Sequence, residues 1–491
     1  MTDTRPDIVL VLSDQHAARM LGVAGAPEAP SAVQTPRLDR LAAQGTRFEA
    51  CHCASPLCVP SRMALLSGLH PHQCGVLTND DCLGSDVPTI AHALGAAGYD
   101  CRLVGRMHFL GPDQTHGFGE RTLGDIGPNW PGSGPPDIGP LSEARGNRGP
   151  ELEGSGRGET SYQAFDKAVT ARACELLGTL AEQRRRTGRP CFLVVGLFCP
   201  HPPYIARAED YDAFAGRVSA PRLPVAAHEH PAIADWRAAG RLERLSDAAI
   251  ERSRTAYHGL VRMIDRLAGQ VIDAVDAHLP PGAVTVYASD HGEALGERGL
   301  WWKSTMHDES VRVPLICRGP GMPAGRVDRR VTSLLDLSAT LLGWGGAERL
   351  PGMCGRDLRI ASGDQACAGW PGEVFAEYHG GLMNIDLPPL HHRMVRIGRY
   401  KLVWYDAHPP QLFDLDTDPD ELVDLAADPA HGDVRRRLLA RVLDGWDPEL
   451  HSKRQALQRQ RHALMRRWVG ATRPAEPLRW IDPAPERNRY E

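Results

Sequence analysis

The sequence lacks the features of several common protein classes. No apolar run reaches the roughly 20 residues that a membrane-crossing helix needs. One short run, Ile8 to Leu12, is bracketed by Asp7 and Asp14 and followed by no small-residue cleavage site, so it does not read as an export leader. Positive charge is not in excess. Lys and Arg total 56 against 61 Asp and Glu, for a net charge of -5 and a pI near 6.5. That balance excludes the electrostatic footprint of a nucleic-acid binder. There is no internal repeat, which excludes solenoids and propellers. Cys51, Cys53 and Cys58 lie close together, but no second Cys/His pair at zinc spacing follows them. With 12 cysteines in a 491-residue chain and no leader, reduced thiols and a cytoplasmic location are expected.

What is present is ordinary globular composition, 42% hydrophobic and 24% charged. The length allows two or three domains around a large core. Asp7 to Ser13 reads as a strand buried on both faces, because Ile-Val-Leu-Val-Leu is continuous rather than alternating. Further strands are expected at Thr46 to Ala54, Tyr99 to Gly105, Cys191 to Leu197, Ala283 to Ser289 and Val313 to Cys317. Helices are expected between them: from Pro36 to Gly45, over Pro88 to Ala97, Tyr162 to Gln183, Ser246 to Leu279 and Asp336 to Leu342. Alternation of this kind predicts an α/β fold with a mostly parallel, doubly wound sheet.

Two regions break the pattern. From Gly127 to Gly158 the chain is rich in Gly and Pro and reads as a long loop, either a lid or a disordered insert. Its Trp130 either walls a pocket or pins the loop. After about Gly380, Met394 to Ile397, Tyr400 to Trp404 and Leu412 to Leu415 read as a small antiparallel sheet, followed by a basic helical stretch from Asp433 to about Trp468. The expected domains are therefore 1–380, a catalytic α/β unit, and 381–491, a C-terminal α+β subdomain. The basic helix is expected to face solvent or another subunit.

Four strand ends carry polar clusters: Asp14-Gln15, Arg106 to His108, His201, and Asp290-His291. In a doubly wound sheet such ends converge on one crevice. The stretch Cys58-Val59-Pro60-Ser61-Arg62, running on to Leu66-Ser67-Gly68, turns an extended segment into a helix. Pro60 suits the first turn, where a missing N–H costs nothing. Cys58 then lies just before a helix N-terminus, with free N–H groups and the positive dipole end beside it suited to an anion. Arg62 adds a forked, permanent charge.

This stretch resembles the sulfatase modification motif, Cys-x-Pro-Ser-Arg with a Leu-Ser/Thr-Gly ending. Asp14-Gln15 and Ser289-Asp290-His291-Gly292 are similar to metal-binding segments of the alkaline phosphatase/sulfatase superfamily. Gly105-Arg106-Met107-His108-Phe109 is similar to its Gly-Lys-x-His segment, and Pro200-His201-Pro202 to its leaving-group motif. Lys303-Ser304-Thr305 looks like its active-site Lys segment. The resemblance runs from residue 7 to about residue 425.

It implies a sulfuric ester hydrolase in which a formylglycine-generating enzyme converts Cys58 to formylglycine. A divalent ion, Ca²⁺ or Mn²⁺, is implied at Asp14, Gln15, Cys58, Asp290 and His291. Arg62, Arg106 and Lys303 are implied to steady the sulfuryl oxygens. The same resemblance makes His201 the proton donor to the leaving alcohol, His108 the base for the second hydroxyl, and Asn79 a substrate contact. It implies a small sulfate ester as substrate and a homo-oligomer, while the charge balance and the lack of long apolar runs lead to no nucleic-acid or membrane partner being expected. Gln15 and His291 depart from the common sulfatase set of paired Asp and a later Asn. They resemble the phosphonate monoester hydrolase and choline sulfatase branch, so phosphonate monoester or phosphodiester hydrolysis is the alternative. An unmodified binding protein with a free Cys58 thiol is a further one.

Overall fold

Eight strands assemble into one sheet around three central strands whose aliphatic runs are buried on both faces. The computed structural model describes residues 4–24, 33–145, 148–361, 369–380 and 390–491. In chain order the strands are β1 (Ile8–Asp14), β2 (Thr46–His52), β3 (Asp100–Gly105), β4 (Glu120–Leu123), β5 (Cys191–Pro200), β6 (Val284–Ser289), β7 (Leu315–Arg318) and β8 (Arg326–Ser333). Their order across the sheet is β8-β2-β7-β6-β1-β5-β3-β4. Every pairing is parallel except those of β7, which runs antiparallel to β2 and β6.

β1 shows why the run is continuous. Ile8, Leu10 and Leu12 enter one apolar layer, whereas Val9 and Val11 enter the other. Helices Cys58–Ser67 and Leu334–Gly345 cover the first face. The long helices Ser161–Thr187 and Asp247–His278 cover the second. The register sets Leu10 opposite both Val194 and Val286. The carboxyl ends of the three central strands therefore finish side by side, at the crevice where α/β sheets hold their chemistry.

A four-stranded antiparallel sheet follows: Glu373–Gly380, Leu390–Ile397, Tyr400–Tyr405 and His408–Asp414. Its first strand precedes the boundary expected at 380/381, because Glu373–Gly380 pairs residue for residue with the strand after it. Residues 381–389 lie outside those described. One face of this sheet joins the main core through Ala376, Met394 and Phe413. The other packs Val395, Leu402 and Leu412 on Leu438 and Val442 of helix Gly432–Leu443. The expected single helical stretch is two helices. The second, Pro448–Thr472, restarts because Pro448 suits its first position and Asp447 accepts from Glu449 N and Leu450 N at 2.9 and 3.1 Å.

The segment read as a long loop is partly structured. It holds a short helix, Gly149–Leu152, and a strand, Gly156–Glu159, that pairs with Ile205–Ala206 and the tail strand Arg489–Tyr490. The tail supplies the missing partners. Trp480 N donates to Asp125 O at 2.9 Å and Arg479 to Gly134 O at 2.8 Å. Trp130 pins the loop: its ring lies edge-on to Trp468 at 5.2 Å, and its N–H reaches Ala475 O at 3.4 Å. The basic helix turns His451, Gln455, His462 and Val469 inward onto its own chain, while Leu457 and Leu464 face out.

That inner side completes a buried imidazole cluster. His379 Nδ1 and His391 Nδ1 are 3.1 Å apart, and His391 Nε2 meets Ser452 Oγ at 2.8 Å. The His451 ring packs 5.0 Å from that of His379. Burial first, then neighbouring histidines, push His391 and His392 down to about 3. Burial also pushes His70 and His451 down to about 4. The unfolded chain protonates these rings near 6.5, before the folded one does. Their stabilising effect is thus complete above pH 6.5 and is lost as pH falls toward 4 for His70 and His451 and toward 3 for His391 and His392. Each ring costs up to about 1.4 kcal/mol per pH unit in that window. A melting temperature that drops steeply between pH 7 and pH 5 is expected; a flat profile would contradict the burial of these neutral rings.

Candidate active site

Strand register builds the site. Ser13 pairs with Ser289 and Asp14 with Pro200, so Asp14, His201 and Asp290 leave neighbouring strand ends together. Gly105 pairs with Gly196 on the far side of β5, which brings Arg106 in. A side chain at 196 would place its Cβ 1.7 Å from the Arg106 carbonyl, so only glycine permits this approach.

Cys58 is the first residue of helix Cys58–Ser67, one position further in than the sequence suggested. The N-cap, Leu57, offers no side-chain acceptor. Asn79 supplies one from outside, its Oδ1 accepting from Val59 N at 2.9 Å. Asn79 thus secures the helix start next to Cys58. Cys58 is 1% exposed. Its Sγ lies 3.2 Å from His291 Nε2 and 3.6 Å from Asp14 Oδ1.

Around it, ligand atoms of Asp14, Cys58, Asp290 and His291 lie within 4.8 Å of one another. Two arginines hold the outer oxygens. Asp14 Oδ2 accepts from Arg106 Nε at 2.6 Å and Arg62 Nη2 at 3.1 Å. Asp290 Oδ2 accepts from Arg62 Nε at 2.8 Å. Asp290 Oδ1 accepts from the backbone N–H of Gln15 and His291 at 3.0 and 2.9 Å. Burial alone would raise the Asp14 carboxyl, but Arg106 and Arg62 hold it well below its usual range. His291 Nδ1 donates to the Gly292 carbonyl at 3.0 Å, which leaves the Nε2 lone pair facing the cluster. Two carboxylates, an imidazole lone pair and the position-58 atom, converging in a buried pocket, fit a divalent cation.

The sulfatase profile matches residues 6–347, and the profile described as N-sulphoglucosamine sulphohydrolase, C-terminal, matches residues 296–445. The chain belongs to the sulfatase family. It is a hydrolase of sulfate esters. A choline-sulfatase from Rhizobium meliloti (strain 1021) is 31% identical over 497 residues, covering 96% of this chain and 91% of its own. Arylsulfatase K of Xenopus laevis is 26% identical, with 97% and 89% covered. The multifunctional alkaline phosphatase superfamily protein PehA of Trinickia caryophylli is 27% identical, with 90% and 95% covered. The fold matches that of the phosphonate monoester hydrolase from Silicibacter pomeroyi, with a TM-score of 0.71, 24% identity and 90% and 95% covered.

The other candidate site residues of this sulfatase surround the same cluster. Arg62, 0% exposed, spends its donors inward, on the two carboxylates and on the Arg106 carbonyl at 3.0 Å. Arg106 Nη1 also bonds Asp125 Oδ1 at 3.1 Å, and its guanidinium lies 4.7 Å over the Phe198 ring. Arg106 Nη2 donates to His108 Nδ1 at 2.9 Å. With Nδ1 so occupied, the neutral ring carries its hydrogen on Nε2, and His108 is a donor. The proton-accepting role expected for it requires that contact to open. His201 sits between two cis X-Pro bonds, and its Nδ1 donates to Pro202 O at 2.7 Å. Burial first, then Lys303, push it well below 6.5, so the ring is neutral with Nε2 bare. Lys303, 1% exposed, donates to Gln15 Oε1 at 2.5 Å.

Sequence reading passed over Asp125 and Glu293. Asp125 receives Arg106 and the His108 N–H (2.9 Å); burial would raise its carboxyl, but Arg106 and Arg121 hold it far down. Nothing in its loop composition signals that role. Glu293 stands three residues after Asp290, and that proximity was the available signal.

Proposed function

We propose that this sulfatase hydrolyses a small organic sulfate ester with a formylglycine made from Cys58 by a formylglycine-generating enzyme. Asp14, Gln15, Asp290, His291 and the position-58 oxygen would hold one divalent ion, Mn²⁺ or Ca²⁺. The observation that carries the reading is Cys58 at a helix N-terminus within the buried Asp14–Asp290–His291 group. The aldehyde hydrate supplies two hydroxyls on one carbon, one to attack sulfur and one to release sulfate. A bound cation supplies Lewis-acid stabilisation of oxygen charge. Arg62 and Arg106 hold both carboxylates in place. Lys303 and the His108 N–H face charge that develops on the sulfuryl oxygens. His201 serves the leaving alcohol: the negative charge of bound substrate favours its protonated ring, which then gives up that proton.

His201→Ala is expected to slow an alkyl sulfate by about 10²–10⁴-fold. A nitrophenyl sulfate, whose leaving group needs no proton, should lose far less. Equal losses on the two esters would remove His201 from this role.

Choline sulfate is the first ester to assay, given the choline-sulfatase relative. Phosphonate monoester hydrolysis is the second reading. Gln15 and His291 favour it, as does the likeness to a multifunctional superfamily member. Rates on choline sulfate, an aryl sulfate and a phenylphosphonate monoester, with Mn²⁺ and Ca²⁺ each supplied, decide between them. A much larger rate on the phosphonate would reverse the order. The reading includes a cytoplasmic location and a homo-oligomer. Leu450, Leu457 and Leu464, exposed at heptad spacing on helix Pro448–Thr472, support packing between copies.

A further inference from the structure

Glu293 is 0% exposed and lies just past the end of β6. Its carboxylate takes four donors. Oε1 accepts from Leu295 N at 2.6 Å and Trp302 N at 2.8 Å. Oε2 accepts from the Tyr204 hydroxyl at 2.6 Å and, by a short contact, from Gln15 Nε2. Gln15 Nε2 also lies 3.2 Å from the Tyr204 oxygen. One buried carboxylate thus ties together the residue after Asp14, the loop after His201, and the residue before Lys303.

The consequence concerns which way the Gln15 amide faces. Its two ends have nearly the same shape, and only their partners distinguish them. Here the NH₂ end meets a carboxylate, and the oxygen meets the Lys303 ammonium. Turned over, the amide would set oxygen against carboxylate and N–H against ammonium, both repulsive. Only the observed orientation leaves an oxygen as ligand, because an amide NH₂ cannot bind a cation.

Charge points the same way. The common sulfatase pattern has a second Asp where this chain has Gln15, so one negative charge is missing from the ligand set. Glu293 places a negative charge directly behind that amide. It also answers Lys303. The chain has four lysines. Lys401, the other fully buried one, faces Asp308 and Glu421 directly at 2.9 and 2.7 Å. Lys303 instead donates to a neutral amide, beyond which stands Glu293. A polarised amide between ammonium and carboxylate strengthens both bonds.

We infer that Glu293 is the positioning residue that orients Gln15 as an oxygen ligand and supplies, from behind it, the charge that the ligand set lacks. This rests on the metal-binding part of the proposed function. Calorimetric titration of the purified full chain with Mn²⁺ and with Ca²⁺ tests it, alongside metal-free melting temperatures. In Glu293→Gln the cation affinity should fall about 10–100-fold, as for other residues that orient metal ligands. In the exchange variant Gln15→Glu with Glu293→Gln, carboxyl and amide trade places, and affinity should return. Unchanged affinity in Glu293→Gln, with only a lower melting temperature, overturns the inference and makes Glu293 a structural residue. So does an exchange variant that folds yet binds no better than Glu293→Gln. If Glu293→Gln does not fold, Tyr204→Phe carries the test. It removes one donor to Glu293, so weaker binding supports the inference and unchanged binding overturns it. Wild-type chain that binds neither cation overturns the metal reading itself, a result separable from the others.

Discussion

Cys58→Ser should release about one equivalent of alcohol at most and then stop. A serine has one oxygen. It can attack the sulfuryl group, but no second hydroxyl on the same carbon remains to expel sulfate. The helix N-terminus and the buried Asp14–Asp290–His291 group still surround that oxygen, so the first step keeps its setting. Cys58→Ala lacks even the attacking atom and should lose turnover by at least about 10⁴-fold. The measurement is the stoichiometry of alcohol release under enzyme excess, together with the intact mass of the protein. Cys58→Ser should gain the mass of one sulfuryl group and keep it. Multiple turnover by Cys58→Ser near the wild-type rate would remove formylglycine from the account.

Arg62→Leu should be nearly as damaging, and it should damage stability as well as rate. Arg62 is fully buried, and its guanidinium bonds Asp14, Asp290 and the Arg106 carbonyl. Leucine leaves Asp290 Oδ2 without that donor in a buried site and weakens the hold on Asp14. Removing one partner of a buried ion pair costs about 3–5 kcal/mol, because the orphaned charge remains. The Asp14 carboxyl would rise toward its ordinary range, lowering cation affinity too. Arg62→Lys should recover only part of this, since a point charge cannot serve both carboxylates at once. Denaturant unfolding with and without added Mn²⁺ measures the loss. A variant within about 1 kcal/mol of wild type would show that these carboxylates do not depend on Arg62.

Much of the architecture was legible because it is written in local patterns. The unbroken aliphatic run of β1 announces a strand covered on both sides, and it lies between parallel neighbours with one layer on each face. Polar pairs at the ends of such strands announced where the chemistry sits, and Asp14, Arg106, His201 and Asp290 do leave adjacent strand ends. Where each side chain points was not legible. Arg62 and Arg106 look like anion binders in sequence, yet both turn toward Asp14. Gln15 and His108 hold left-handed backbone angles, φ 67° and 61°, which no propensity foretells. Asp125 takes its role from Arg106 and the His108 N–H across a loop, and Glu293 from Gln15 and Tyr204, far along the chain. Hydrophobic periodicity reports what a residue does within a turn or two of itself. The direction of a buried charge is set by whichever opposite charge folding brings beside it, and that was decided only when the strands closed into one sheet.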